Sequence, residues 1–166
     1  MMTDIGEYFV GAYLQYFLGC EIVVYNVKDY SLTGKTAQNE IDVIGISFEN
    51  NTTYLCEVKT HIKGFKAAGK TDREKLIESQ FKAMQKYAIK NLPKTFQVEY
   101  MFWGPNKVQK KLKVVIDKYY SANNIIVEAE YTSRLKELIE YARNNSTEFD
   151  NPFIRTLQIA AWCRAI

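Results

Sequence analysis

Two carboxylates and a lysine, Asp42, Glu57 and Lys59, stand inside apolar, β-branched runs of this chain, where charge is costly. The first run reads Asn39-Glu40-Ile41-Asp42-Val43-Ile44-Gly45-Ile46, and the second Tyr54-Leu55-Cys56-Glu57-Val58-Lys59. Strands of that composition carry alternate side chains into a core, and a charge taken there needs a partner to neutralise it. A divalent cation suits two hard oxygen ligands beside an ammonium, and Mg²⁺ is the ion such a donor set fits.

The elements around these residues decide whether they can meet. Residues 41–49 and 52–61 read as two strands about Asn50-Asn51, a pair suited to the positive φ of a tight hairpin turn. A two-residue turn there sets Asp42 opposite Lys59 and Ile44 opposite Glu57. Side chains alternate between faces with period two, so Asp42, Glu57 and Lys59 then share one face. A three-residue loop would separate the carboxylates. Upstream, residues 4–18 have the apolar spacing of a helix, with Ile5, Tyr8, Phe9, Tyr13, Tyr16 and Phe17 on its inner side, and residues 21–28 form a first strand. Downstream, residues 62–70 are a Gly- and Lys-rich loop, and a long helix begins at Thr71 or Asp72 and is closed by Pro93. A strand over 96–103, a helix over 107–122, a short strand over 125–130 and helices over 134–144 and 152–164 complete the reading. No repeat or low-complexity linker divides the chain, which is read as a single domain over 1–166.

Composition narrows the function classes. With 47% apolar residues, the 166-residue chain can bury a sizeable core. No secretory signal opens it and no apolar run is long enough to span a membrane, so a cytoplasmic protein without membrane partners is expected. Three widely spaced cysteines fit reduced thiols and show no zinc spacing, and a single histidine leaves little room for histidine-centred sites. The net charge of +3 is unevenly spread. Residues 1–58 hold two lysines and eight acids, a net −6, whereas residues 59–118 hold fifteen basic and five acidic residues, a net +10. The acidic part suits a metal site and the basic part a phosphate backbone, although a charge run is more often a solvated face.

An acid following Glu40-Ile41, then Glu57-Val58-Lys59 on the next strand, resembles the PD-(D/E)xK nuclease superfamily, which includes restriction endonucleases, Holliday junction resolvases and RecB-like nuclease domains. The resemblance covers about residues 4–103. It implies an α/β fold with a restriction-endonuclease-like core: a mixed central sheet with helices on both faces in α-β-β-β-α-β order, followed by a helical extension over about 107–166. It implies an Mg²⁺-dependent nuclease, an endonuclease acting on DNA rather than RNA, with Mn²⁺ able to substitute and a homodimer as a plausible assembly. Asp42 and Glu57 would hold the metal with the Val58 carbonyl as a further ligand, and Lys59 would position or deprotonate the attacking water. The chemistry is coherent, since a metal lowers the water's pKa and stabilises charge on the transition state, and a lysine flanked by metal and desolvated by strands has its own pKa lowered.

Other candidates have plainer alternatives. Glu7 sits where some resolvase-like members carry an extra acidic ligand, but Asp4-Ile5-Gly6-Glu7 also has capping-box spacing. Gln80 matches the spacing of a RecB-like glutamine, yet Met84 stands where those members usually have tyrosine. His61 shares the parity of Glu57 and Lys59 and is a candidate phosphate contact. Lys63, Lys66 and Lys70 are expected to meet nucleic acid. The segment Gly64-Phe65-Lys66-Ala67-Ala68-Gly69-Lys70-Thr71 also satisfies the Walker A pattern, which keeps a P-loop nucleotide binder open as an alternative. Against that, the strand before it carries charge and belongs to an antiparallel hairpin. A member of the nuclease fold that binds nucleic acid without cutting is the other alternative.

Overall fold

The computed structural model describes residues 3–28, 40–60 and 73–164. The helix at the start, α1 (Ile5–Phe17), begins where the Asp4 carboxylate accepts from the Gly6 N–H at 2.8 Å and the Glu7 carboxylate accepts from the Asp4 N–H at 3.1 Å. This reciprocal pairing satisfies two donors that a helix start leaves open. Three strands follow, β1 (Ile22–Lys28), β2 (Glu40–Ser47) and β3 (Thr52–Val58). The second helix, α2 (Arg73–Asn91), leads to β4 (Gln97–Gly104), then α3 (Lys110–Tyr119), β5 (Ile125–Val127), α4 (Glu128–Asn144) and α5 (Pro152–Trp162). Pro152 at the start of α5 follows Asn151, whose side chain accepts from the Phe153 and Ile154 N–H groups.

The strands form one mixed sheet in the order β1-β2-β3-β4-β5. β1, β2 and β3 are an antiparallel meander, whereas β3, β4 and β5 run parallel. Parallel neighbours need crossovers, and α2 and α3 supply them. Helices cover both faces. Phe9, Val10 and Leu14 of α1, Leu138 and Ala142 of α4 and Ile154 of α5 pack with Val43, Cys56, Val58, Met101 and Trp103. On the other face Ile77, Phe81 and Met84 of α2, with Leu112 and Ile116 of α3, pack with Ile44, Leu55 and Phe102. The result is a three-layered α/β architecture.

Two local expectations change. The hairpin turn spans four residues, 48–51, with Asn51 at φ 49°, so Ser47 faces Thr52 and Ile44 faces Leu55. The register therefore differs by two residues from that of a turn on Asn50-Asn51 alone. An even shift preserves side-chain parity along the paired part of the hairpin, Val43 to Ser47 with Thr52 to Cys56. The short strand ends at Val127 and α4 begins directly at Glu128. Its neighbour β4 ends at Gly104, the partner of Val127, so nothing remains for a longer strand to pair with. The expected short strand is the fifth of the sheet, so the C-terminal stretch belongs to the core as well as extending it, and its last two helices close over α1.

Candidate functional site

Pairing fails at Asp42 on both sides. The β2–β3 ladder stops at Val43–Cys56, and on the other side Ile41 and Val43 pair with Val27 and Tyr25, with no pair between them. Asn26, in the gap, has φ 54°. Ile41 and Ile44, three residues apart, join the same core cluster, so two-residue alternation is broken here. The Asp42 side chain takes the place of the missing ladder bond: its Oδ2 accepts from the Val58 N–H at 2.7 Å. A carboxylate in that role holds the end of β3 and faces its next residues.

Glu57, 1% exposed, points to the α2–α3 face. Its Oε1 pairs with the Lys59 ammonium, while Oε2 has no hydrogen-bond partner among the described residues. The same ammonium lies 3.4 Å from Asp42 Oδ2 and 3.3 Å from the Val58 carbonyl oxygen. Three oxygens from three residues thus converge on one cation. Lys59 is itself fixed from behind, its N–H donating to the Trp103 carbonyl at 2.8 Å. Beyond it, the Thr60 hydroxyl donates to Asp4 Oδ1 at 2.8 Å, tying the end of β3 to the start of α1. Gly6 makes that approach feasible, because a Cβ there would fall 2.0 Å from the Thr60 methyl.

The electrostatics follow from burial. Desolvation pushes the Glu57 carboxyl up to about 8, with Asp42 adding to the shift and Lys59 opposing it. Burial alone would lower the Lys59 pKa, but the charges of Glu57 and Asp42 outweigh it and the net direction is up.

Glu7 keeps its capping role, and its Oε2 also accepts from Asn26 Nδ2 at 2.9 Å. Burial raises the Glu7 pKa, and Asp42 is close enough for its charge to contribute. Gln80 lies on α2 between Ile77 and Met84, with its Oε1 buried and without a hydrogen-bond partner among the described residues. His61, Lys63, Lys66 and Lys70, and with them the whole Walker-like segment, lie outside the described residues. The run Val114-Val115-Ile116-Asp117, which could imitate the second nucleotide-binding strand, is inside α3. Sequence reasoning missed Asn26, whose positive φ and bond to Glu7 mark the break opposite Asp42, and Tyr120, treated below. An asparagine inside an otherwise β-branched run was the available signal for the first.

The oxygens around Lys59 Nζ are the donors a hard cation would use, and the unpartnered Oε2 of Glu57 is a further acceptor in the same place. The donor set therefore fits Mg²⁺ or Mn²⁺ chemically. Among the described residues no group of three or more His, Cys, Asp or Glu side chains is arranged to hold a metal, so any such site draws on the main-chain carbonyl as well. A cavity of about 410 Å³ lies elsewhere, lined by Tyr13, Tyr54, Glu99, Asn124 and Arg134 among others. None of the three candidate residues lines it, and their partnered charges are the better guide to chemistry. No helix among the described residues is long and apolar enough to cross a membrane. No family model, no curated protein and no solved structure matches this chain.

Proposed function

We propose that this chain is a metal-dependent nuclease of restriction-endonuclease-like build that hydrolyses phosphodiester bonds, those of DNA in preference to RNA. One observation carries the reading: the Asp42 carboxylate, the Glu57 carboxylate and the Val58 carbonyl converge on a single cation, the Lys59 ammonium. The meander followed by a parallel crossover is compatible with such a core. The net +10 over residues 59–118 supplies the countercharge a phosphate backbone calls for.

Asp42, Glu57 and the Val58 carbonyl would hold Mg²⁺ or Mn²⁺. When bound, the ion supplies Lewis-acid activation of water and neutralises charge developing on the phosphoryl group. Asp42 serves two ends, since the oxygen that faces the cation also fastens the Val58 N–H and so fixes the Val58 carbonyl. Lys59, beside both carboxylates, would position or deprotonate the attacking water.

The test is incubation of purified protein with labelled single-stranded, duplex and branched DNA and matching RNA, with Mg²⁺, Mn²⁺ or EDTA. Cleavage of DNA that needs metal and is lost in Asp42→Ala, Glu57→Ala and Lys59→Ala is the expected result. Cutting by all three variants at the wild-type rate would refute it.

A further inference from the structure

Tyr120 ends α3, its N–H bonded to the Ile116 carbonyl at 2.9 Å, and turns its side chain beneath the sheet. It is 3% exposed. Its ring lies 5.6 Å from that of Phe102 and 5.2 Å from that of Phe81, between centroids. Phe102 is the β4 residue paired with Glu57, so the phenol is packed against the strand neighbour of the buried carboxylate.

A phenylalanine would fill this aromatic site without a polar atom to satisfy. A buried hydroxyl left unpaired is costly, so a tyrosine here calls for an acceptor. The Tyr120 hydroxyl has no hydrogen-bond partner among the described residues, and neither has Glu57 Oε2. One group has a proton to give and the other has lone pairs to receive it. Burial raises the phenol's pKa first, and the charges of Glu57 and then Asp42 raise it further, which puts both acids within electrostatic range.

We propose that Tyr120 is a positioning residue of the carboxylate site, its phenol donating to Glu57 Oε2 through one bridging water and holding that carboxylate fixed while Oε1 faces the cation. The functional part of this inference rests on Glu57 as a metal ligand. The hydrogen bond itself does not. Outer partners of metal ligands typically change metal affinity by about 10–100-fold when removed.

Two measurements test it, with Tyr120→Phe preserving the ring and its packing. In metal-free protein, the infrared carboxyl stretch of Glu57, assigned by its disappearance in Glu57→Gln, is expected to shift between wild type and Tyr120→Phe. Calorimetric titration with Mn²⁺ is expected to show Kd raised about tenfold in Tyr120→Phe. Superimposable Glu57 bands would overturn the hydrogen bond, and an equal Mn²⁺ affinity would overturn the positioning role. If wild type itself binds no Mn²⁺, the metal reading of Asp42 and Glu57 fails and the positioning role with it, while the infrared comparison still decides the bond.

Discussion

Glu57 is an acid whose folded-state pKa is raised, to about 8, by its burial beside Asp42. Over the interval between its ordinary value and about 8, the folded protein binds more protons than the unfolded chain, so stability falls as pH rises. Lys59 has the opposite charge and a raised pKa, so its contribution is intact throughout that interval and is lost only at higher pH. Metal-free protein is therefore expected to lose stability in urea between about pH 5 and pH 8. Glu57→Gln should flatten that slope, and an unchanged slope in the variant would assign it to another group. At Asp42 the hydrogen bond and the charge can be separated. Asp42→Asn can still accept from the Val58 N–H, whereas Asp42→Ala leaves that donor unpaired at a buried strand end. Asp42→Ala is expected to be less stable than Asp42→Asn by about 1–3 kcal/mol in metal-free urea melts. Equal stabilities would show that the bond contributes nothing.

The site depends on where β3 ends, and α1 sets that point. Thr60 lies against Gly6 and bonds to Asp4, so the residue after Lys59 is held at the helix start. Gly6→Ala should cost about 1–3 kcal/mol by forcing Thr60 away. Adding Thr60→Gly should recover part of the loss, a coupling that a double-mutant cycle reads directly. Strict additivity would mean that the two positions do not meet. The sequence shows this arrangement only in outline. The order of helices and strands is legible from apolar periodicity and from caps such as Asp4-Ile5-Gly6-Glu7, and strand parity points to Asp42, Glu57 and Lys59 as neighbours, although alternation is broken at Asp42 itself. The register is not legible, because Asn50 and Asn51 serve a two-residue or a four-residue turn equally well. Nor is the break at Asp42, since it depends on Asn26 adopting positive φ on a neighbouring strand. In the sequence Tyr120 is one aromatic among several in the C-terminal third, and only packing against Phe102 distinguishes it from Tyr131 or Phe153, which belong to the opposite core.

Taken whole, the molecule places the proposed site at one end of β3 and its bulk in two apolar layers, and the thiols report on those layers. Cys20 and Cys56 are buried, and burial pushes the Cys20 thiol up to about 12, whereas Cys163 is exposed. Native protein should react with a thiol reagent at one fast site, lost in Cys163→Ser, and at all three cysteines only after denaturation. Two fast sites would contradict the packing on the α1 face. The central claim concerns the other end, where Asp42, Glu57 and the Val58 carbonyl are proposed to hold a divalent ion. A cation that binds only the folded form stabilises it by RT ln(1 + [L]/Kd), about 2.7 kcal/mol at a hundredfold excess over Kd. The most direct measurement is the thermal melt of wild type and Glu57→Gln, each with Mn²⁺ and with EDTA. The expected result is a Tm raised by Mn²⁺ in wild type and unmoved in Glu57→Gln. A wild-type Tm that ignores Mn²⁺, or an equal rise in both proteins, would contradict the account.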